Sequence, residues 1–195
     1  MRRLLFQSLV HGPLTEDAPA RSDDAMAELA AQINRVSRQR LGRTLSIREV
    51  DAGSCNGCEL EIHALNNVLY DLERFGIHFV ASPRHADVLL VTGPVTTNMR
   101  EALERTYQAT PHPKWVVAVG DCARDGGVFS GSYACVGGVS TVLPVDLHIG
   151  GCPPSPMALL KGLLALLERV EAGDETSAES RPGNDMSMTG YQPTA

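Results

Sequence analysis

Apolar residues recur along this chain in two rhythms, and the switches between them outline its elements. Over residues 24–40, Met26, Leu29, Ile33 and Val36 return at three- and four-residue steps, the spacing that lines one face of an α-helix. Ser22, Asp23 and Asp24 just ahead supply side-chain oxygens for its first amides, and Gly42 marks its end. A second helix is predicted over 59–75, where Leu65, Val68, Leu69 and Leu72 share a face, with further helices over 99–109 and 155–170. Short aliphatic runs predict strands at 46–51, 77–81, 87–92, 115–120 and 144–149.

Val88 to Val91 and Trp115 to Val119 are apolar without a break. Strands of that kind need cover on both faces, as in a parallel sheet between helical layers. The alternation of strand and helix therefore predicts an α/β fold with a doubly wound parallel sheet, whose functional loops lie beyond the carboxyl ends of the strands. Three segments are expected. Residues 1–42 form an N-terminal arm and amphipathic helix, the arm carrying Pro13, Pro19 and a small apolar patch of Leu4, Leu5, Leu9 and Val10. Residues 43–170 form the α/β domain. Residues 171–195 lose apolar periodicity, gain Gly, Ser, Thr, Asp and Glu, and are expected to be a flexible tail.

Composition narrows the classes of function. In 195 residues, 43% apolar and 21% charged side chains make an ordinary globular mix. A formal net charge of −6 argues against nucleic acid as a partner, because a phosphate backbone calls for clustered positive charge. Arg35, Arg38, Arg40, Arg43 and Arg48 do crowd into one stretch, which reads either as a solvated face or as a docking surface for an acidic partner or lipid headgroups. Arg2-Arg3 raises the question of an export signal. The apolar run that should follow, about 7 to 15 residues, gives way after Leu4-Leu5-Phe6 to Gln7 and Ser8, so a reducing cytoplasmic location is expected.

In that compartment five cysteines point to metal or redox chemistry rather than disulfides. Four of them occur as Cys55-Asn56-Gly57-Cys58, Cys122 and Cys152-Pro153-Pro154, each site closely following a predicted strand with glycine nearby. Such an arrangement suits an iron–sulfur cluster, which needs thiolates converging from several directions and backbone that can pass close to sulfide. Zinc is a competitor for four thiolates, although its ribbon-type sites show two Cys-x-x-Cys pairs and this chain has one pair and two singles. A thioredoxin-like pair would leave Cys122 and Cys152 unexplained, and simple burial is the bland reading of both. Cys135 lacks the strand-then-loop position and is read as a structural residue beside the site. The glycine-rich stretch Gly126 to Gly138 lacks the Lys-Ser/Thr ending of a phosphate loop and is expected to lie against a partner chain. Glu59 and Glu61 are read first as carboxylates favoured at a helix start, with proton handling as the alternative. His63 and His148 are read as surface or supporting residues.

Taken together, Asp51 to Cys58, Thr92-Gly93-Pro94-Val95-Thr96, Gly120-Asp121-Cys122-Ala123, Gly126-Gly127-Val128-Phe129, Pro144-Val145-Asp146 and Gly151 to Pro156 resemble the cluster-bearing subunit shared by respiratory complex I and membrane-bound nickel–iron hydrogenases. The likeness spans about residues 42–170. It implies a flavodoxin-like fold without flavin, one 4Fe-4S cluster, and ligand roles for Cys55, Cys58, Cys122 and Cys152. The complex I subunit carries two adjacent cysteines at its first ligand site, whereas Cys55 and Cys58 are separated by two residues, as in hydrogenase small subunits. The resemblance therefore implies the formate-hydrogenlyase or energy-converting type. In such a complex the chain relays electrons between a nickel–iron large subunit and a ferredoxin-like iron–sulfur subunit, alongside integral membrane subunits on the inner face of the cell membrane. Two alternatives stand next to it: the complex I (NADH-quinone oxidoreductase) member of the family, which passes electrons to quinone, and a zinc-stabilised scaffold subunit.

Overall fold

The computed structural model describes residues 23–171. The expected arm at 1–21 and all but the first residue of the expected tail lie outside the described residues. In chain order the elements are α1 (Asp23–Leu41), β1 (Ser46–Asp51), α2 (Gly57–Ala64), β2 (His78–Phe79), β3 (Val88–Thr92), β4 (Val95–Thr96), α3 (Thr97–Ala109), β5 (Trp115–Val119), α4 (Asp121–Asp125), β6 (Cys135–Gly137), β7 (Leu147–Ile149) and α5 (Pro156–Glu171). Short 3₁₀ turns at Leu72–Phe75, Pro83–His85, Gly127–Phe129 and Val139–Thr141 join them.

Five strands make one parallel sheet in the order β2-β1-β3-β5-β7. Ile47 lies opposite Val88, Val88 opposite Trp115, and Val117 opposite Leu147. With the small antiparallel pair β4–β6 set aside, the order is second, first, third, fourth, fifth. That is the doubly wound sheet expected from the strand–helix alternation, in the flavodoxin-like order that the resemblance implied, and it reverses direction between β1 and β3.

The two unbroken apolar strands explain the layering. Side chains alternate across a strand, so Val88 and Leu90 of β3 join Val117 and Val119 of β5 in one core, while Leu89, Val91, Val116 and Ala118 belong to another. The first core is closed by α1, α2 and α5, with Ala30 and Ile33 of α1 fully buried among Leu159, Leu160, Leu163 and Leu167 of α5. The second is closed by Leu103 of α3, Ala123 of α4 and Val139. None of the described helices is long and apolar enough to cross a membrane.

Buried polar groups hold the amino edge of the sheet. The fully buried Asp87 carboxylate accepts from the Arg43 guanidinium and from the Ser46 N–H at 3.0 Å. Lys114 donates to the carbonyls of Tyr107 and Thr110 at the end of α3, its ammonium 3.9 Å from the Tyr107 ring centre. The arginine-rich stretch thus divides: Arg43 is spent on Asp87, while Arg35 and Arg38 stay exposed on α1.

One predicted helix is corrected. Instead of running from 59 to 75, α2 stops at Ala64, and Leu72–Phe75 is a separate 3₁₀ turn. The Asn66 and Asn67 N–H groups already bond three residues back, and the Asn67 Oδ1 then accepts from the N–H groups of Leu69 and Tyr70, so the helical ladder does not resume. Asp71 then adopts a left-handed φ of +44°. Leu65 and Leu72 remain buried, but Val68 and Leu69 turn outward at 95% and 71% exposure. The last strand is also shorter than 144–149. Pro144 has no N–H for a ladder, and the Asp146 carboxylate accepts from the Val116 N–H at 2.7 Å just before β7 begins.

Candidate metal centre

The parallel strands all point to one carboxyl edge, and the loops that leave β1, β5 and β7 there carry cysteine. The first loop is shaped by Asp51, whose Oδ1 accepts from the N–H groups of Gly53 and Ser54, both at 2.7 Å. Ser54 Oγ accepts from the Asn56 N–H, and Asn56 takes a left-handed φ of +69° before α2 starts. This turn leaves Cys55 exposed on the loop and places Cys58 in the first turn of α2. Cys122 is the second residue of α4, directly beyond β5, and Cys152 follows β7 by way of Gly150 and Gly151.

Hydrogen bonds tie the second loop to the third. The Gly120 N–H donates to the Ile149 carbonyl at 2.8 Å, and the Asp121 N–H to the Gly151 carbonyl at 3.0 Å. In return the Asp121 carboxylate accepts from the Gly151 N–H at 3.1 Å. The loop after β3 supports the first one from below: the Thr96 N–H and hydroxyl both donate to the Ala52 carbonyl.

The result is a cavity of about 100 Å³, walled by Cys55, Cys58, Cys122 and Cys152 with Asp121 and Pro153. Backbone approaches the sulfurs closely at two points. A methyl group on Gly120 would lie 2.7 Å from Cys58 Sγ, and one on Gly127 2.8 Å from Cys122 Sγ; both glycines have positive φ. No residue with a Cβ fits there without moving sulfur.

Electrostatics show how strongly the thiols sense one another. Burial pushes the Cys58 thiol up to about 12, with further upward pushes from Glu59, Cys55, Cys122 and Cys152. Cys122 is also raised by burial, opposed by the Val128 N–H that donates to its sulfur, and raised again by Cys152, Cys55 and Asp121. Four bare thiolates here would repel one another, and a cation lying between them would relieve that repulsion. Among the described residues no three or more His, Cys, Asp or Glu side chains are gathered into a formed metal site. The thiols instead surround an open space. Zinc would require all four sulfurs at about 2.3 Å from one point, and an iron–sulfur cluster would draw on thiolates from several directions.

The other residues singled out from sequence fall at varied distances from this edge. Cys135 lies half-buried on β6, where its backbone pairs with Thr96. Glu59 is buried with neither carboxylate oxygen hydrogen-bonded, Glu61 is half-buried, and His63 and His148 are exposed. A second cavity of about 220 Å³, bounded by Arg48, Glu49, His63 and Phe79, lies near β2; burial there raises the Glu49 carboxyl above its ordinary range. Sequence reading passed over Asp51 and Asp121 as organisers of the loops. Asp51-Ala52-Gly53 did carry a signal, an aspartate placed to accept from N–H groups two and three residues on; the bond from Asp121 spans 30 residues and left none. Next to Cys122, the glycine-rich stretch exposes Val128, Phe129 and Tyr133 at 84%, 38% and 100%.

Comparison with known proteins agrees with this arrangement. The family described as NADH ubiquinone oxidoreductase, 20 Kd subunit, matches residues 55–166, a span that includes all four thiols of the cavity. Formate hydrogenlyase subunit 7 of Escherichia coli (strain K12) is 40% identical over 179 residues, which cover 90% of this chain and 69% of that protein. The probable membrane-bound hydrogenase subunit mbhJ of Pyrococcus furiosus is 46% identical over 130 residues, 67% of this chain and 78% of the relative. Among solved structures, a chain of the membrane-bound sulfane sulfur reductase, an archaeal respiratory membrane complex, aligns with a TM-score of 0.61 at 35% identity, covering 74% of this chain and 77% of that one. A chain of an NAD+-reducing NiFe hydrogenase in the H2-reduced state shares the fold alone, with a TM-score of 0.50 at 21% identity over 65% of this chain and 93% of its own. The chain belongs to the NADH ubiquinone oxidoreductase 20 kDa subunit family and is a subunit of a multisubunit oxidoreductase.

Proposed function

We propose that this chain is the electron-relay subunit of a membrane-associated hydrogenase complex of the formate-hydrogenlyase or energy-converting type, holding one 4Fe-4S cluster through Cys55, Cys58, Cys122 and Cys152. The convergence of these four thiols, from three loops distant in sequence, on one cavity carries the reading. When bound, the cluster supplies one-electron transfer at a potential set by burial, net charge and N–H bonds to sulfur. The chain's own contribution is structural and electrostatic. Gly120 and Gly127 let backbone reach the sulfurs, the Val128 N–H donates to Cys122, and Glu59 and Asp121 bring negative charge close to the thiols.

Exposure at the carboxyl edge supports the proposed partners. Cys55 and Cys152 are open to the outside, and Val128, Phe129 and Tyr133 present apolar surface next to Cys122. A large subunit seated on that edge would exclude water from the cluster and complete the path to its nickel–iron centre, with a ferredoxin-like subunit as the other electron partner. Integral membrane subunits would tether the assembly peripherally to the inner face of the membrane, in keeping with the membrane-bound relatives.

The test is iron and acid-labile sulfide analysis with EPR on the chain co-expressed with its large subunit, followed by hydrogen-dependent reduction of a dye. Four irons and four sulfides per chain, together with dye reduction by hydrogen, are expected. Stoichiometric zinc in their place would move the chain to the scaffold reading, and reduction by quinol but never by hydrogen to the complex I reading. One observation favours a second reading: the sulfane sulfur reductase chain is the more similar of the two solved structures. In that case the same relay serves a complex that reduces sulfane sulfur, and sulfane sulfur rather than protons oxidises the reduced complex.

A further inference from the structure

We infer that Asp121 is a positioning residue: it latches the Cys152 loop to the Cys122 loop and, through its charge, lowers the potential of the centre held between them. The inference rests on the cluster reading above for its second half only. Asp121 and Gly151 form a two-bond ring, the aspartate N–H donating to the glycine carbonyl at 3.0 Å and the carboxylate Oδ1 accepting the glycine N–H at 3.1 Å. Gly151 has a φ of +134°, and a methyl group on it would lie 2.7 Å from Pro154 Cα, so its conformation is tightly specified. Cys152 comes next. Pro153 and Pro154 then offer no N–H, which leaves the placement of the Cys152 thiol dependent on the bonds at Gly151.

The latch needs an acceptor oxygen and not a charge, because an asparagine oxygen would also accept the Gly151 N–H. The carboxylate therefore has a separate consequence. Asp121 is part of the cavity wall, with only partial compensation from Arg124, whose Nη1 is 3.7 Å away and whose Nη2 binds Asp125 at 3.2 Å. A negative charge at that position disfavours the addition of an electron to the site.

Two substitutions separate the effects in the full chain: Asp121→Asn keeps the acceptor and removes the charge, and Asp121→Ala removes both. Amide exchange at Gly151 in the metal-free chain reads the latch, and it is expected to quicken about tenfold in Asp121→Ala while staying near wild type in Asp121→Asn. Iron and sulfide content should fall in the alanine variant and hold in the asparagine variant. In an EPR-monitored redox titration, Asp121→Asn should shift the midpoint potential positive. Unchanged Gly151 exchange in Asp121→Ala would overturn the latch, and an unchanged midpoint in Asp121→Asn would overturn the tuning role. Absence of iron and sulfide from the wild-type chain would instead remove the cluster reading and the tuning role with it, while exchange at Gly151 would still decide the latch.

Discussion

Replacing Gly120 by alanine should damage the proposed metal centre out of proportion to its effect on the fold. Gly120 sits at φ +89° and ψ 161°, a region essentially reserved for glycine, where another residue costs about 1–3 kcal/mol. For a domain of this size each kcal/mol lowers the melting temperature by about 2–4 °C, so a visible but tolerable loss is expected. The second effect is local. The new methyl would begin 2.7 Å from Cys58 Sγ, well inside the roughly 3.5–4.0 Å of an ordinary nonbonded contact, and the thiol must swing away from the cavity by about 1 Å. Gly131→Ala is the control, since Gly131 also has a positive φ (+79°) but nothing within 4 Å of where its methyl would stand. Urea unfolding of the metal-free chains, paired with iron and sulfide analysis after reconstitution, gives both readouts. Both variants should lose stability, and only Gly120→Ala should lose the cluster. A fully loaded Gly120→Ala, or equal iron loss in Gly131→Ala, would refute the argument from close approach.

Single serine substitutions at Cys55, Cys58, Cys122 or Cys152 should remove or convert the cluster, while Cys135→Ser should leave it intact; EPR on the five variants checks this, and the reverse pattern at Cys122 and Cys135 would overturn the ligand set. Leu72→Ala should cost about 2–5 kcal/mol because Leu72 is fully buried. Val68→Ser and Leu69→Ser should each change stability by less than about 0.5 kcal/mol, as expected for exposed side chains. Glu49→Gln should raise the melting temperature at neutral pH. Burial raises the folded-state value of Glu49 above the ordinary 4.5, so its contribution is fully present below pH 4.5 and is lost as pH rises through the folded value. The difference between wild type and variant should accordingly vanish in acid, and a constant difference across pH would rule this origin out.

The parts of the structure that were legible in the sequence are those in which one local pattern had one physical outcome. Val88 to Val91 and Trp115 to Val119 had to be covered on both sides, and each strand now feeds two cores. The thiol loops were legible because each cysteine closely follows an aliphatic strand. Over 59–75 the apolar period was truly helical, yet Asn67 competes for the very N–H groups that a continuing helix would need. Periodicity records side-chain polarity and is blind to that competition; the Asn66-Asn67 pair and Asp71 were the available warning. The β4–β6 pair escaped notice for a different reason: two- and three-residue strands carry almost no pattern, and Val95 meets Gly137 only once the rest is folded. Asp121 is the same case at the thiol-lined cavity, an ordinary surface aspartate until β7 brings Gly151 to it.

The wide spacing of the thiols along the chain has a consequence in time. Ribosomes add about 5–20 residues per second, so Cys55 and Cys58 are made roughly 5–20 seconds before Cys152. During that interval β7 does not exist, α5 cannot close the first core, and two thiols wait at a half-built cavity. If these thiols hold the proposed cluster, iron captured early would find two ligands, then three, and the fourth only after Cys152 is made. Loading of the proposed cluster is therefore expected after synthesis is complete, and a pulse of iron and sulfide given once synthesis has been stopped should load the protein as fully as iron present throughout. Lower loading after such a pulse would mean that the cavity closes before its contents arrive.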